Sequence, residues 1–178
     1  MKNKMVMITG VQPNTNEIDW QAVYNHSLPR VYHFFCYKVA NSALAEDLTA
    51  ITFEKAWISR KNFREDMGNV HAWLMGIARN TAFDHFRKKV KEIPFSGGNE
   101  KSLSYSFDED VQRRLDFQFI LSILTQYPER EKELIALKYG AELTNREIAR
   151  LTGLSETNVG TLLHRVVDKL RAEWEKKS

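Results

Sequence analysis

Apolar residues in this chain recur three and four positions apart, and no stretch alternates apolar with polar residues long enough to read as a strand. The spacing predicts helices over residues 19–27, 29–39, 43–60 and 70–90 in the first half. In the second half it predicts helices over 108–124, 128–139, 145–152 and 156–175. Pro29 suits the opening turn of the second helix, where its missing N–H costs nothing, and Ser42 and Asn69 are the expected caps of the third and fourth. Gly140 is read as the end of the helix over 128–139. Between them, KEIPFSGGNEKSLSYS (91–106) breaks the period with Pro94, Gly97-Gly98 and four serines, which is linker composition. The expected fold is all-α: a flexible tail over 1–16, a helical domain over 17–90, a flexible acidic linker over 91–107 and a second helical domain over 108–178.

The sharpest pattern is LTNREIARLTGLSETNVGTLLHRVVDKL (143–170). A helix-turn-helix needs a small residue where its helices cross, a turn residue tolerant of positive φ, and an apolar inner row on its second helix. Ala149, Gly153 and the row Val159, Leu162 and Val166 meet those needs, with Ile148 and Leu154 beside them. Thr144 and Glu147 form a capping box, and Ser155 caps the second helix. Glu156, Thr157, Gly160, Thr161 and His164 would then face a major groove. An ordinary helical hairpin is the alternative, and the full pattern in register favours DNA binding.

Two further segments carry signals. In AEDLTAITFEKAW (45–57), Leu48, Ile51 and Phe53, with the preceding Leu44, are expected to supply core contacts, and Glu46, Asp47, Thr49 and Thr52 to lie on the surface. In VHAWLMGIARNTAFDHFRKK (70–89), Trp73, Phe83, His85 and Phe86 interleave with Arg79, Asn80, Arg87 and Lys88. Rings stack on unpaired bases while cations meet phosphates, so the mixture suits single-stranded DNA. Aromatics at helical spacing also build cores, and Trp73, Ile77 and Phe83 are expected to be buried.

Composition narrows the class. Of 178 residues 43% are hydrophobic and 28% charged, an ordinary globular balance, and no apolar run approaches membrane-span length. The N-terminus shows no long apolar run with a cleavage site, so a cytoplasmic location is expected. His33 and Cys36, the single cysteine, stand at H-x-x-C spacing, but no further ligand pair accompanies them, which favours a buried thiol over a metal site. There is no phosphate-cradling glycine loop, nucleophile elbow or H-E-x-x-H pair, so neither enzyme nor cofactor is expected. Net charge is only +3, yet residues 71–91 carry +4 with histidine neutral and 92–116 carry −3. A local basic block is the footprint of a phosphate backbone.

AEDLTAITFEKAW, then AWLMGIARNTAFDHFRKK, the linker, and YPEREKELIALKYGAELTNREIARLTGLSETNVGTLLHRVVDKLR together resemble a bacterial extracytoplasmic-function (ECF) sigma factor, from Tyr24 to Arg171. The resemblance implies that the first domain is sigma region 2 and the second is region 4. It implies that Glu46, Asp47, Thr49, Thr52, Phe53 and Trp57 meet the β′ clamp helices of RNA polymerase core. Phe63, Arg64, Asn69, Trp73, Arg79, Asn80, Asp84, Arg87 and Lys88 would melt and hold the minus-ten element as single strand. Arg146, Ser155, Glu156, Thr157, Gly160, Thr161, His164, Arg165 and Lys169 would read the minus-thirty-five element as duplex, with the outer surface of region 4 on the β flap. The acidic linker would occupy the channel that later takes RNA. An anti-sigma factor and an auxiliary DNA-bound targeting partner are further candidate partners; a membrane is not.

One departure stands out. Many relatives place a lysine, a small residue and an arginine after the valine of the recognition helix, where this chain has Gly160-Thr161-Leu162. Residues 142–177 hold seven basic and six acidic side chains, so this face is nearly neutral and a relaxed minus-thirty-five readout is expected. The competing readings are a two-domain helix-turn-helix regulator acting without polymerase, and an adaptor that binds only proteins. The first needs a dimer interface and a sensor pocket that the 45–57 and 70–89 helices do not supply. The second gives no reason for the Arg87-Lys88-Lys89 block.

Overall fold

The computed structural model describes residues 18–64, 66, 68–91 and 111–176, and its regular structure there is entirely helical. The expected tail, and the expected linker from residue 92 onward, lie outside the described residues. The helices are α1 (Trp20–Val39), α2 (Ser42–Ser59), α3 (Val70–Lys91), α4 (Val111–Leu124), α5 (Glu129–Ile135), α6 (Asn145–Thr152) and α7 (Glu156–Glu175). A 3-10 turn, Arg60–Asn62, follows α2, and α5 runs on into a π turn, Ala136–Gly140. None of these helices is long and apolar enough to cross a membrane.

Helix α1 corrects one expectation, because Pro29 lies inside a single helix and does not open a new one. Ser27, Val31, Phe34 and Phe35 continue one buried stripe across the proline, and burying it outweighs the roughly 3 kcal/mol that an interior proline costs. Asp19 caps the helix by accepting from the Gln21 and Ala22 amides at 3.0 and 3.1 Å. The cap of α2 is Asn41, one residue before the expected Ser42, and it accepts from the Leu44 amide at 2.9 Å. Asn69 caps α3 as expected, accepting from the Ala72 amide at 2.7 Å.

The inward face of α2 is Ala45, Leu48, Thr49, Thr52 and Ala56, so Thr49 and Thr52 are buried where a surface position was expected. Their hydroxyls donate to the carbonyls of Ala45 and Leu48, each at 2.7 Å, and this satisfaction within the helix lets threonine serve as a core residue. The rotation that turns the threonines inward leaves Ile58 outward, and with it Ile51, which was expected in the core.

The helix-turn-helix forms as the local signals require. The Thr144/Glu147 capping box is complete, Gly153 adopts φ 73°, and Ser155 accepts from the Asn158 amide. The buried row of α7 is Val159, Leu163 and Val166, while Leu162, expected in that row, is half-buried at its edge. Both rows have helical spacing three and four apart, so packing against the neighbouring helices, and not periodicity, decides which leucine is buried.

The two helical units do not stand apart. One continuous apolar core runs from Val31, Phe34, Phe35, Leu74 and Met75 to Leu134, Leu137, Leu143, Ile148 and Val159. At the junction the π turn lies on the backbone of α1. A Cβ on Gly140 would stand 2.8 Å from Phe34 Cα and N and 2.9 Å from the His33 carbonyl carbon, so only glycine fits. Gly140 thus has a packing role beyond ending a helix. Because Phe34 lies under this junction and is fully buried, Phe34→Ala is expected to cost about 3–5 kcal/mol. Guanidinium titration should show one cooperative transition for both units, coincident by circular dichroism and tryptophan fluorescence. Two separated transitions in the wild-type chain would show that the units are energetically independent.

Candidate nucleic-acid interface

The outward side of α2 combines carboxylates with exposed apolar groups. Glu46 and Asp47 are exposed, and Ile51, Trp57 and Ile58 lie along the same helix, Ile58 at 72% exposure. The Arg60 guanidinium lies over the Trp57 ring at 3.8 Å and donates to the Trp57 carbonyl. Exposed apolar groups clustered on one surface mark a protein-docking face more often than chance. Ile51 and Ile58 are additions to the residues expected there; their signal was seven-residue spacing on the face opposite Ala45 and Thr52. Thr49 and Thr52, being buried, do not belong to that face, and Phe53 is half-buried with its ring 4.7 Å from that of Tyr24.

The residues expected to handle the minus-ten strand divide into three groups. Phe63 and Trp73 pack with Trp20, their centroids 5.4 to 6.4 Å apart in edge-on or tilted pairs, which anchors the loop before α3 to the start of α1. Arg64 is held by the Asp66 carboxylate at 2.7 and 3.0 Å. On α3, Asn80, Phe83, Arg87 and Lys88 are exposed. Phe83, expected to be buried, is 65% exposed, because the inward row of α3 runs through Leu74, Met75, Ala78 and Ala82 and leaves the next position outward. The Arg87 guanidinium stands 6.0 Å from the Phe83 ring, and Asp84 lies between Lys55 and Arg87 at 3.4 Å from each. The third group, Asn69 and Arg79, faces the second helical unit. Asn69 donates to Glu147 at 2.6 Å, and Arg79 donates to Glu133 at 2.6 Å and to the Leu151 carbonyl at 2.7 Å.

On the helix-turn-helix, Arg146, Ser155, Glu156, Thr157, Thr161, His164 and Arg165 are exposed. The Ser155 hydroxyl oxygen is engaged in its cap, and Thr161 donates to the Thr157 carbonyl at 3.0 Å. His164 and Asp168 pair at 3.4 Å. Lys169 points back to α5, where it meets the Glu131 carboxylate at 2.9 and 3.2 Å above the Tyr127 ring. Gly160 is half-buried, and a Cβ there would meet Asn145 Nδ2 at 3.6 Å, an ordinary van der Waals contact.

Burial perturbs several titratable groups, Cys36 and His71 among them. Cys36 is fully buried, which pushes its thiol up to about 12 and leaves it unreactive at neutral pH. His71 sits at the junction of the two units, with Nε2 donating to the Ala141 carbonyl at 2.9 Å and Nδ1 buried without a partner.

The fold and these surfaces define a two-unit helical protein built around a helix-turn-helix, with an aromatic and basic face on its first unit. Family models agree: Sigma-70 region 2 matches residues 23–92 and Sigma-70, region 4 matches residues 120–170, together well over half of the chain. The chain is 28% identical to the ECF RNA polymerase sigma factor SigM of Bacillus subtilis over 155 residues, 86% of this chain and 94% of that protein. Its fold is similar to that of the sigma factor RpoE in complex with the anti-sigma factor NepR from Bartonella quintana (TM-score 0.75, 23% identity, 88% of this chain and 97% of that one). It is also similar to CnrH in complex with the cytosolic domain of CnrY (TM-score 0.62, 22% identity, 89% and 87% covered). The chain belongs to the sigma-70 family and is an ECF RNA polymerase sigma factor. Its class initiates transcription and is not catalytic.

The junction histidine gives a pH dependence with a definite sign. Burial, the largest influence, holds the His71 pKa below its ordinary 6.5; Arg30 and His26 from α1 push the same way, while the Ala141 carbonyl and Glu147 oppose. The unfolded chain therefore takes up the proton first, so the contribution to stability is complete above about pH 6.5 and declines as pH falls from there toward the depressed value. Thermal melts between about pH 7.5 and 5.5 should show this decline, and His71→Gln should flatten it. An unchanged slope in the variant would assign the effect to other groups.

Proposed function

We propose that this sigma factor divides its work among three faces of the structure, acting in the cytoplasm with RNA polymerase core and promoter DNA. The outward side of α2, through Glu46, Asp47, Phe53 and Trp57 with Ile51 and Ile58, docks on the β′ clamp helices. Its exposed isoleucines beside carboxylates support this reading, because burying such a surface on a partner is favourable.

The observation that carries the strand-opening role is the exposed row Asn80, Phe83, Arg87 and Lys88 on α3. An exposed ring flanked by an amide and two cations can stack an unpaired base, hydrogen-bond its edge and neutralise its phosphates. Phe63, Arg64, Asn69 and Trp73 line a neighbouring cleft and, with Arg79 and Asp84, complete the minus-ten site. The helix-turn-helix contacts the minus-thirty-five element through Arg146, Glu156, Thr157, Thr161, His164 and Arg165, with Ser155 positioning the helix start. Its near-neutral face makes that readout weak, and Lys169 serves the α5–α7 packing. The two structural neighbours are complexes with anti-sigma factors, which supports an anti-sigma factor as a further partner here.

Asp47→Arg is expected to abolish co-purification with core polymerase while leaving the melting temperature nearly unchanged, since an exposed charge reversal shifts stability little. Retention at the wild-type level would remove α2 from the docking surface. Asn80→Ala should lower run-off transcription from a closed duplex promoter, with part of the loss restored on a pre-melted bubble. Full activity on closed duplex would exclude Asn80 from strand opening. Gly160→Lys, for which the structure leaves room, should tighten duplex binding and steepen its salt dependence by about one phosphate contact. An unaltered salt slope would show that this face does not approach the backbone.

A further inference from the structure

A cleft of about 560 Å3 lies between α3 and the start of α5, within the range of roughly 300–1,000 Å3 typical of small-molecule sites. Because the buried core runs unbroken between the two units, α5 is a fixed wall of this cleft. Asn80, Phe83 and Phe86 follow one another at three-residue spacing along the α3 wall. The charged groups of the lining sort into pairs, with one left over. Glu133 is taken by Arg79 at 2.6 Å, and Glu129 is held between Lys38, at 3.1 Å, and Lys132. Lys38 also stands 5.4 Å from the Phe86 ring centroid. Arg130 lines the cleft from α5, is exposed, and has no carboxylate partner among the described residues.

We propose that this cleft binds one nucleotide, with Arg130 as the phosphate contact contributed by the second unit. The site rests on the reading of α3 given above and extends it across the boundary between the units. A base stacks on Phe83, which is 65% exposed, and Asn80, one turn away and likewise exposed, offers its amide to the base edge. The Arg130 guanidinium meets the 5′-phosphate with paired N–H donors. An entering phosphate finds the two carboxylates of the lining already neutralised by their own cations, so Arg130 sets the sign of the local field. An apolar ligand would leave that cation and the Asn80 amide unused, and an acidic peptide would leave the rings unused. A free nucleoside phosphate and one nucleotide of a single strand offer the same base and phosphate to this cleft.

The test uses the full-length chain, fluorescence anisotropy with a fluorescein-labelled short oligodeoxyadenylate, and unlabelled 2′-deoxyadenosine 5′-monophosphate as competitor. Arg130→Ala changes an exposed side chain and should leave circular dichroism and melting temperature near wild type. It should weaken oligonucleotide binding about fivefold, the scale of an exposed ion pair. The salt slope should fall by about 0.7, the share of one single-strand phosphate. Arg130→Lys should recover the slope but only part of the affinity, since an ammonium lacks the paired donors. Arg113→Ala removes the same charge from the exposed surface of α4 and should leave both quantities at wild type. Displacement of the oligonucleotide by the monophosphate, lost in Arg130→Ala, assigns the cleft to free nucleotides; Arg130-dependent binding that resists the monophosphate assigns it to a strand. Equal displacement by inorganic phosphate would show that the rings take no part and would overturn the proposal. Wild-type binding by Arg130→Ala, or an equal loss in Arg113→Ala, would overturn it too. Asn80→Ala then separates the two readings. Weakened binding there leaves α3 as a strand-binding face and removes only the cleft, whereas no effect shows that the α3 reading itself was wrong.

Discussion

The seating of the π turn on α1 is the constraint on which the rest of the structure depends. With Gly140 against the backbone of Phe34, the core of the first unit continues into the second, and Leu134, Leu137 and Leu143 pack where solvent would otherwise lie. The extra residue of the π turn lets the Ala141 amide reach the Ala136 carbonyl at 2.9 Å. Ala141 then meets His71, and Glu142, at φ 57°, meets Arg30. These contacts share one geometric cause, the close approach that a missing side chain permits.

From that seating follows the division of the α3 surface. The side of α3 carrying Arg79 is turned toward α5 and α6, while Asn80, Phe83 and Arg87 look outward. A helix with polar and aromatic residues around much of its circumference has no single obvious inner face, and here the neighbour settles the matter. Helix α2 is similar, for its inward face includes two threonines whose hydroxyls are satisfied by their own helix, freeing two isoleucines for the outside. A buried polar residue and an exposed apolar cluster are the informative exceptions to the inside–outside rule.

Sequence reasoning succeeded where the cause was local. The helix-turn-helix bounds at 145–152 and 156–175, its capping box, the positive φ of Gly153 and the Asn69 cap depend on residues within a turn of one another, and all are present as read. It failed where a partner distant in sequence decided the outcome. Pro29 does not interrupt α1 because core packing holds the helix on both sides of it; Leu163 replaces Leu162 in the buried row, and Phe83 turns outward.

The amino-acid sequence by itself determined the all-helical class, the helix-turn-helix and the motifs that resemble an ECF sigma factor, because capping, periodicity and glycine chemistry act over a few residues. Only the tertiary structure decided that Gly140 joins the two units and that Arg79 and Asn69 are engaged across that junction. It also decided that Thr49 and Thr52 belong to the core. Pairings across tens of residues leave no periodic trace in a chain; they arise when buried surface brings the partners together, and burial is a property of the whole molecule.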